Sequence, residues 1–319
     1  MQDAGLLSPE ASHLALKEEE LVTHETVGKK GGLYCYLITP YDDQGNVNHA
    51  VLERYTNDII TGGADGVTCV ASTTEGVFLT EAERFSVVKT VCDTTAGRVP
   101  VNVAVGDFST RQVMHWADHA QKAGASTLML EMQTYLPDIN FADVVRHYED
   151  VATSVDIPIR LYNIPRTTRY DMTPQMIAEL AVVDGIDSVK DATGDPHRVR
   201  DIIALTGDRF ALYTGLHFVA RESYRYGAIG WEAAYHPLFN NDMVTLHQQL
   251  RSGNPAGQTL YKKMEPLFVF FRQYGVPQCI RAMSMWSDLN FGQPRAPLPR
   301  LTERQSEQLK SLMITLDYV

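Results

Sequence analysis

Short apolar runs alternate with amphipathic segments along most of the chain, starting near residue 32. Most of the runs are almost continuously hydrophobic, which is typical of parallel strands that are covered by helices. The segments between them have the character of surface helices. The strands are predicted at residues 33–39, 66–71, 99–105, 126–132, 158–164, 186–190, 210–214 and 228–233.

Helix start signals separate these predicted strands. Thr80 is followed three residues later by Glu83, the spacing of a capping box, and Thr173 is an N-cap residue directly before Pro174. Eight β-then-α units predict a (β/α)₈ TIM barrel, which leaves no strand edge bare. A doubly wound open sheet is the alternative, but no Gly-x-Gly-x-x-Gly follows the first strand.

After Tyr235 the pattern changes to helical segments without strands between them, near 238–252, 257–273, 277–288 and 302–316. We therefore expect a helical addition to the barrel. The predicted organisation is an N-terminal extension over 1–30, a (β/α)₈ barrel over 31–235 and a C-terminal helical extension over 236–319.

The balance of acidic and basic residues limits which molecules the protein can bind. The 319 residues include 28 basic and 39 acidic side chains, so the formal net charge is −11. An acidic chain repels phosphate backbones, and we expect no nucleic-acid partner. No apolar run reaches the roughly 18 residues that a membrane span needs. The first 27 residues lack the apolar core of a secretory signal.

The four cysteines, at positions 35, 69, 92 and 279, stand alone, and none forms a Cys-x-x-Cys pair. Such spacing is not typical of a disulfide framework or of a zinc site. We therefore expect free thiols and a protein of the reducing cytoplasm.

The active sites of barrel enzymes lie at the C-terminal ends of the strands, and the sixth predicted strand ends in Lys190. If Val189 faces the helices, Lys190 faces the barrel interior. There, desolvation lowers the pKa of an ammonium group and leaves a nucleophilic amine. The alternative is a lysine just past the strand that pairs with Asp191 or Asp195.

Two further strand ends carry polar groups. Tyr162 ends the fifth strand, and pairing in register would bring its hydroxyl beside Lys190, where a phenol can relay protons. Ser72, Thr73 and Thr74 follow the second strand and offer hydroxyls and backbone amides to a carboxylate. The alternatives are a core tyrosine and an ordinary Ser/Thr turn.

Together these segments resemble the dihydrodipicolinate synthase and N-acetylneuraminate lyase family of class I Schiff-base aldolases and dehydratases. Tyr162 precedes Lys190 by 28 residues, which is also the spacing in that family. The likeness runs from about residue 32 to residue 299. The matching segments are 39–48, beginning Thr39-Pro40-Tyr41, then 72–76, Tyr162-Asn163-Ile164-Pro165, Lys190-Asp191-Ala192-Thr193-Gly194-Asp195, and 294–298.

The resemblance implies a role for each matched residue. Lys190 would form an imine with a 2-oxo acid, and Tyr162 would relay protons at that imine. Thr73 and Thr74 would bind the substrate carboxylate, with Thr74 also in the proton relay, and Gly215 would line the pocket. The resemblance further implies a homotetramer built as a dimer of dimers, with a dimer as the alternative. The sequence contains no nucleotide-binding fingerprint and no cluster of metal ligands, so we expect catalysis without a metal or cofactor.

The departures from the family bear on the substrate. The family's Gly-Glu order is reversed at Glu75-Gly76, and its Tyr-Tyr pair appears as Tyr135-Leu136, of which Tyr135 is expected to contact the substrate. Thr167 stands where the synthase has an arginine, with Arg166 beside it. Glu232 ends the eighth strand as a carboxylate that faces the pocket, or as an outward residue paired with an arginine. We expect Arg166 and Glu232 to recognise the far end of the substrate.

The sequence thus predicts a Schiff-base lyase for pyruvate or a 2-oxo acid such as a 2-keto-3-deoxy sugar acid. Dihydrodipicolinate synthase proper is an alternative, which Leu136 and Thr167 disfavour. A non-catalytic ligand-binding barrel is another, although a binder has no need of an amine nucleophile. A metal-dependent aldolase would require more ligands than His217 and His236, the histidines near strand ends.

Overall fold

Eight parallel strands form a closed barrel in the computed structural model, which describes residues 31–135 and 139–319. The strands are β1 (Leu33–Tyr36), β2 (Gly66–Cys69), β3 (Val101–Ala104), β4 (Thr127–Glu131), β5 (Ile159–Asn163), β6 (Ile186–Asp191), β7 (Ala211–Thr214) and β8 (Gly230–Ala233). Each pairs with its neighbours in chain order, and Trp231 of β8 pairs with Leu33 of β1 to close the ring. The predicted (β/α)₈ barrel is confirmed, and the open sheet is excluded.

Helices surround the barrel. They are α1 (His49–Thr61), α2 (Glu81–Thr95), α3 (Thr110–Lys122), α4 (Phe141–Thr153), α5 (Pro165–Thr168), α6 (Pro174–Leu180), α7 (His197–Thr206), α8 (Ala220–Arg225), α9 (Asn240–Arg251), α10 (Ala256–Tyr274), α11 (Val276–Ser284) and α12 (Glu303–Thr315). The predicted capping box begins α2, where Thr80 and Glu83 bond each other's backbone amides. No helix within the described ranges is long and apolar enough to cross a membrane.

The helices α9 to α12 follow β8 without further strands, which confirms the predicted C-terminal helices. The buried rings of Phe268 and Phe271 in α10 pack against His217 with centroid separations of 5.1 and 5.3 Å. The extension therefore supports the loop that follows β7. The N-terminal extension predicted over 1–30 lies outside the described residues.

Arg281 of α11 ties this extension to the loops after β1 and β2. Its Nε donates to Glu75 Oε1 at 2.7 Å, and its Nη2 donates to the Thr39 carbonyl at 2.7 Å. Both charged side chains are buried. The pair thus fixes the two loops that rise to the C-terminal mouth of the barrel.

The barrel interior is unusually polar. (β/α)₈ barrels are typically filled by layers of branched apolar side chains. Here the buried guanidinium of Arg160 lies 3.6 Å from the ring centroid of Tyr213 and 4.8 Å from that of Tyr34. Arg160 also forms an ion pair with Glu232, which is completely buried. A charged layer therefore lies directly beneath the C-terminal mouth.

We expect Arg281→Met to lower the free energy of unfolding by about 3–5 kcal/mol, because the buried Glu75 carboxylate loses its partner. Denaturant unfolding followed by circular dichroism measures the change. Arg54→Met is the matched control, since Arg54 pairs with Asp288 at 3.4 Å in an exposed position. That control should shift stability by less than about 1 kcal/mol. Equal losses in the two variants would contradict the prediction.

Candidate active site

A cavity of about 410 Å³ opens at the C-terminal ends of the strands. This is the end at which barrel enzymes carry their active sites. It gathers most of the predicted site residues, whereas Thr74 and Tyr135 are absent from its lining. The lining includes Ser72, Thr73, Tyr162, Arg166, Lys190, Gly215 and Glu232.

Lys190 lies at the floor of the cavity. Its partner in the strand register is Tyr162, so the predicted pairing in register is confirmed, and its Nζ lies 4.2 Å from the Tyr162 ring centroid. Burial lowers the pKa of Lys190 to about 7, although the carboxylates of Glu232 and Glu131 oppose the shift. At neutral pH a large share of Lys190 is therefore a neutral amine.

The predicted alternative, a lysine paired with a nearby aspartate, is not what the structure contains. The Asp191 carboxylate bonds to the hydroxyl of Thr193 at 2.5 Å and to Nε of Arg198 at 3.3 Å. Asp195 caps the following turn by accepting the amide of His197 at 3.0 Å. Lys190 thus faces the cavity with its nearest carboxylate, Glu232, 3.9 Å away.

The position of Lys190 explains why the residue after β7, Gly215, is a glycine. A Cβ added at Gly215 would lie 2.5 Å from Lys190 Cε and 2.9 Å from Ala192 Cβ. Real Cβ atoms do not approach so closely, so any side chain here displaces the lysine. Gly215 therefore lines the cavity as predicted, and it makes room for the amine.

Tyr162 is positioned by β5, and its phenol interacts with the hydroxyl of Ser72. Burial raises the pKa of Tyr162, while the hydrogen bond with Ser72 and the charge of Arg166 act in the opposite direction. The phenol therefore stays protonated near neutral pH. Such a group can donate a proton to a developing oxyanion and take it back through Ser72.

The hydroxyl pair that faces the cavity is Ser72-Thr73, one residue earlier than the predicted Thr73-Thr74. Thr74 is fully buried, and its Oγ1 donates to the Ala71 carbonyl at 3.0 Å. Its amide donates to the same oxygen at 3.1 Å. The turn after β2 thus turns Thr74 away from the cavity, and the structure contradicts its predicted place in the relay.

With Ser72-Thr73 as the hydroxyl pair, Glu75 comes two residues after it, as the family's glutamate does, and Thr74 stands in place of the family's glycine, so the expected reversal at Glu75-Gly76 is wrong. Glu75 adopts a left-handed backbone conformation with φ 66°, which costs energy in a residue other than glycine. Its ion pair with Arg281 holds it there. Gly76 is required, because a Cβ would lie 1.9 Å from the Val70 carbonyl oxygen.

Arg166 lies at the mouth of the cavity, in the short helix α5 that Pro165 begins. It is exposed, as is Thr167 beside it. Both can meet the far end of a bound molecule. Tyr135, in contrast, is 87% exposed and outside the cavity lining, so its predicted contact with substrate is not present within this chain. Leu136 lies outside the described residues.

Glu232 combines the two predicted alternatives, because it lines the cavity, as the first expects, and pairs with an arginine, as the second does. It points inward and pairs with an arginine, the buried Arg160, and its Oε1 also accepts from Asn102 Nδ2 at 2.9 Å. It therefore lies under Lys190 and not at the far end of the cavity. The expectation that it recognises the distal part of a substrate is wrong, because inward residues of β8 meet the barrel axis.

Tyr36, the last residue of β1, is a site residue that the strand-end motifs do not reveal. Lys190 Nζ donates to its hydroxyl oxygen, and the Tyr36 hydroxyl lies 3.1 Å from Glu232 Oε2. Nζ also lies 4.0 Å from the Tyr36 ring centroid. The alternation of Tyr34 and Tyr36 along β1 was the pattern that could have placed both on the inward face.

Glu131 is a second residue that the motifs miss. It ends β4 in register with Tyr162, and it is buried. Burial raises the pKa of Glu131, while Arg84, Gln133 and Lys190 act against the shift. The carboxyl adds a second acidic group to the layer that contains Lys190.

The two histidines considered as metal ligands have other partners. His217 Nε2 bonds to the Ala234 carbonyl at 3.2 Å, and burial lowers its pKa to about 4. His236 accepts the Leu238 amide at 3.2 Å. Over residues 31–135 and 139–319, no three His, Cys, Asp or Glu side chains come together as a ligand set. Catalysis without a metal or cofactor stays a prediction.

Comparison with known proteins supplies the family context. The profile of the Dihydrodipicolinate synthetase family matches residues 29–315. The 4-hydroxy-tetrahydrodipicolinate synthase of Idiomarina loihiensis is 31% identical over 285 residues, which cover 88% of this chain and 94% of that protein. The protein of the same name from Shewanella piezotolerans is 33% identical over 278 residues, covering 85% and 93%.

A solved structure shows the same fold. It is the 4-hydroxy-tetrahydrodipicolinate synthase from Methylacidiphilum fumariolicum SolV, with a TM-score of 0.86 and 24% identity. The match covers 91% of this chain and 96% of that one. The barrel and the C-terminal helices thus belong to a fold that these proteins share.

Proposed function

The chain belongs to the dihydrodipicolinate synthetase family of lyases, and from this premise we propose that it forms a Schiff base with pyruvate or with a 2-oxo acid derived from it. The observation that carries the proposal is Lys190, a buried amine with a pKa of about 7 at the floor of an open cavity. A ligand-binding barrel has no use for such a group, whereas a nucleophile requires it.

The reaction would begin when the neutral Lys190 amine attacks the keto carbon. The new C–N bond sends the carbonyl electron pair to oxygen, which takes a proton from the Tyr162–Ser72 pair. The nitrogen then returns one proton to this pair, and the pair delivers it to the hydroxyl, which leaves as water. The pair regains its proton from solvent. The resulting iminium accepts the electrons of a neighbouring C–C bond, or of a C–H bond when water is lost from the substrate.

The carboxylate next to the keto group would lie against Ser72 and Thr73. Both line the cavity on the side of Tyr162. Hydroxyls and the amides of the turn after β2 supply donors for a carboxylate. This end of the cavity accepts any 2-oxo acid, so it does not select among them.

Selection would take place at the mouth, where Arg166 offers a guanidinium and Thr167 a hydroxyl. A guanidinium binds a carboxylate or a pair of hydroxyls in a forked arrangement. A 2-keto-3-deoxy sugar acid provides such groups. The relatives are named 4-hydroxy-tetrahydrodipicolinate synthase, and that reaction is the alternative outcome of a substrate panel.

The assembly and location follow from the same proposal. A homotetramer, as in the family, would cover apolar side chains that are exposed in the loops after the adjacent strands β2, β3 and β4. These are Val77, Phe108 and Tyr135, with exposed fractions of 66, 69 and 87%. The four buried free cysteines suit a reducing cytoplasm. Neither a metal nor a bound cofactor takes part in the proposed steps.

Borohydride reduction in the presence of pyruvate should attach a stable adduct to Lys190, because the imine carbon accepts hydride. Peptide mass spectrometry locates the adduct. Lys190→Ala should lose both the adduct and turnover, whereas Lys89→Ala should keep both, since Lys89 is an exposed lysine on α2. An adduct at another lysine, or none in the unchanged protein, would refute the proposed chemistry.

The rate of imine formation should rise with pH and level off above about pH 7, because only the neutral amine attacks and burial lowers the pKa of Lys190 to about 7. An ordinary lysine would give a rise that continues toward about 10.4. Stopped reactions with pyruvate, quenched by borohydride at each pH, measure the profile. A rate that still climbs steeply beyond pH 9 would contradict the environment described for Lys190.

Arg166→Ala should reduce kcat/KM for a hydroxylated or dicarboxylate substrate by about 10- to 100-fold, because a charged hydrogen bond is lost. Pyruvate trapping at Lys190 should remain unchanged. Arg169→Ala is the matched control, an arginine nearby in the sequence that does not line the cavity. If both variants keep the same preference across a panel of sugar acids, Arg166 does not select the substrate.

A further inference from the structure

Three polar side chains near Lys190, two of which line the cavity, have no part in the steps above. They are Tyr36, Glu232 and Arg160, and each is buried. They form one series of hydrogen bonds that links the Lys190 amine to Ser188, whose hydroxyl lies 3.2 Å from Arg160 Nε. Buried charges are rarely kept without a role, because desolvation penalises each of them.

The two oxygens of Glu232 have different partners. Oε1 accepts from Arg160 Nη1 and from Asn102 Nδ2. Oε2 lies 3.1 Å from the Tyr36 hydroxyl and 3.9 Å from Lys190 Nζ. A guanidinium only donates, so Arg160 fixes which oxygen is left for Tyr36.

The single hydrogen of the Tyr36 hydroxyl is therefore donated to Glu232. Its two nearby acceptors, Glu232 Oε2 and Met129 Sδ, both lie at 3.1 Å, and a carboxylate is much the stronger acceptor. The phenol oxygen is then left to accept from Lys190 Nζ, with which it is in hydrogen-bond contact.

We propose that Glu232, acting through Tyr36, keeps the lone pair of the Lys190 amine free to attack the substrate. The inference rests on the imine chemistry proposed above. A neutral amine has one lone pair and two N–H groups. When an N–H points at Tyr36, the lone pair is directed elsewhere and stays available to a substrate in the cavity that Lys190 lines. A Tyr36 hydroxyl that donated to the amine would occupy the lone pair and block attack.

Tyr36 is on this view a catalytic residue, since it touches the reacting nitrogen. Glu232 is a positioning residue, and Arg160 and Asn102 hold it in place. The stacking of Arg160 between Tyr34 and Tyr213 keeps the guanidinium from turning away.

The substitution Glu232→Gln tests the direction of the hydrogen bonds between Glu232, Tyr36 and Lys190. The amide oxygen must face Arg160, which only donates, so the amide NH₂ faces Tyr36. The Tyr36 oxygen then accepts from the amide, and its hydrogen is released toward the amine. We expect imine formation with pyruvate to slow by about 10- to 100-fold, the range for one hydrogen bond to a reacting group.

A purely electrostatic role for Glu232 predicts the opposite sign. The carboxylate opposes the lowering of the Lys190 pKa, so its loss yields more neutral amine and faster attack near neutral pH. The rates are therefore compared at about pH 9, where the amine is neutral in both proteins. The titratable or charged groups that interact with this amine are Glu232, Glu131, Arg160, Tyr36, Tyr162 and His217.

The measured quantity is the rate of the Lys190 adduct after pyruvate mixing and borohydride quenching. Tyr36→Phe keeps the ion pair of Glu232 and Arg160, and it should also slow formation of the Lys190 adduct. If Glu232→Gln does not fold, Tyr36→Phe serves as the test. The double variant should be no slower than Glu232→Gln alone, because the two residues act as one chain. Tyr55→Phe, which removes a buried hydroxyl bonded to the Tyr235 carbonyl at 2.6 Å, should leave the rate unchanged.

The outcomes separate this inference from the proposed function. An unchanged protein that forms no adduct overturns both. An adduct that forms in Glu232→Gln or Tyr36→Phe at the original rate, or single effects that multiply in the double variant, overturns the inference and leaves the imine chemistry standing.

Discussion

The removal of one amine from water at the centre of the barrel is the constraint on which the rest of the structure depends. Burial disfavours the ammonium form of Lys190, yet the Glu232 carboxylate lies only 3.9 Å away and by itself would hold the proton there. Arg160 bonds that carboxylate from the opposite side, so the charges of the two cancel within the interior. The amine is then not needed as a counter-ion, and it is left available as a nucleophile.

The polar side chains of the interior can pair with one another because the strand register places them in common layers. Arg160 lies opposite Ser188 in the pairing of β5 with β6, and one layer above, Tyr162 lies opposite Lys190. Alternate residues of a strand point the same way, so each layer collects inward side chains from several strands. Glu232 and Arg160 come from β8 and β5, which do not pair with each other, and only closure of the ring brings them together.

Contacts between neighbouring strands could be predicted from the sequence, whereas contacts across the closed barrel could not. The eight strands, and the approach of Tyr162 to Lys190, depend on local composition and on neighbouring strands, which a pattern can reveal. The partner of Glu232 depends on a contact across the barrel, so the sequence left its direction open. Thr74 was misplaced because the turn after β2 folds both its amide and its hydroxyl onto the Ala71 carbonyl.

The residues that control the reactivity of Lys190 are separate from the residue proposed to select the substrate. The groups that determine the state of Lys190 are buried, bonded to one another and held by strands, so a change in any of them alters the amine. Arg166 lies on a four-residue helix at the mouth and is exposed. Its substitution alters contacts with the far end of a substrate without changing the burial of the amine. A barrel built in this way can change the 2-oxo acid that it accepts while keeping its nucleophile, since the two properties reside in side chains that do not touch.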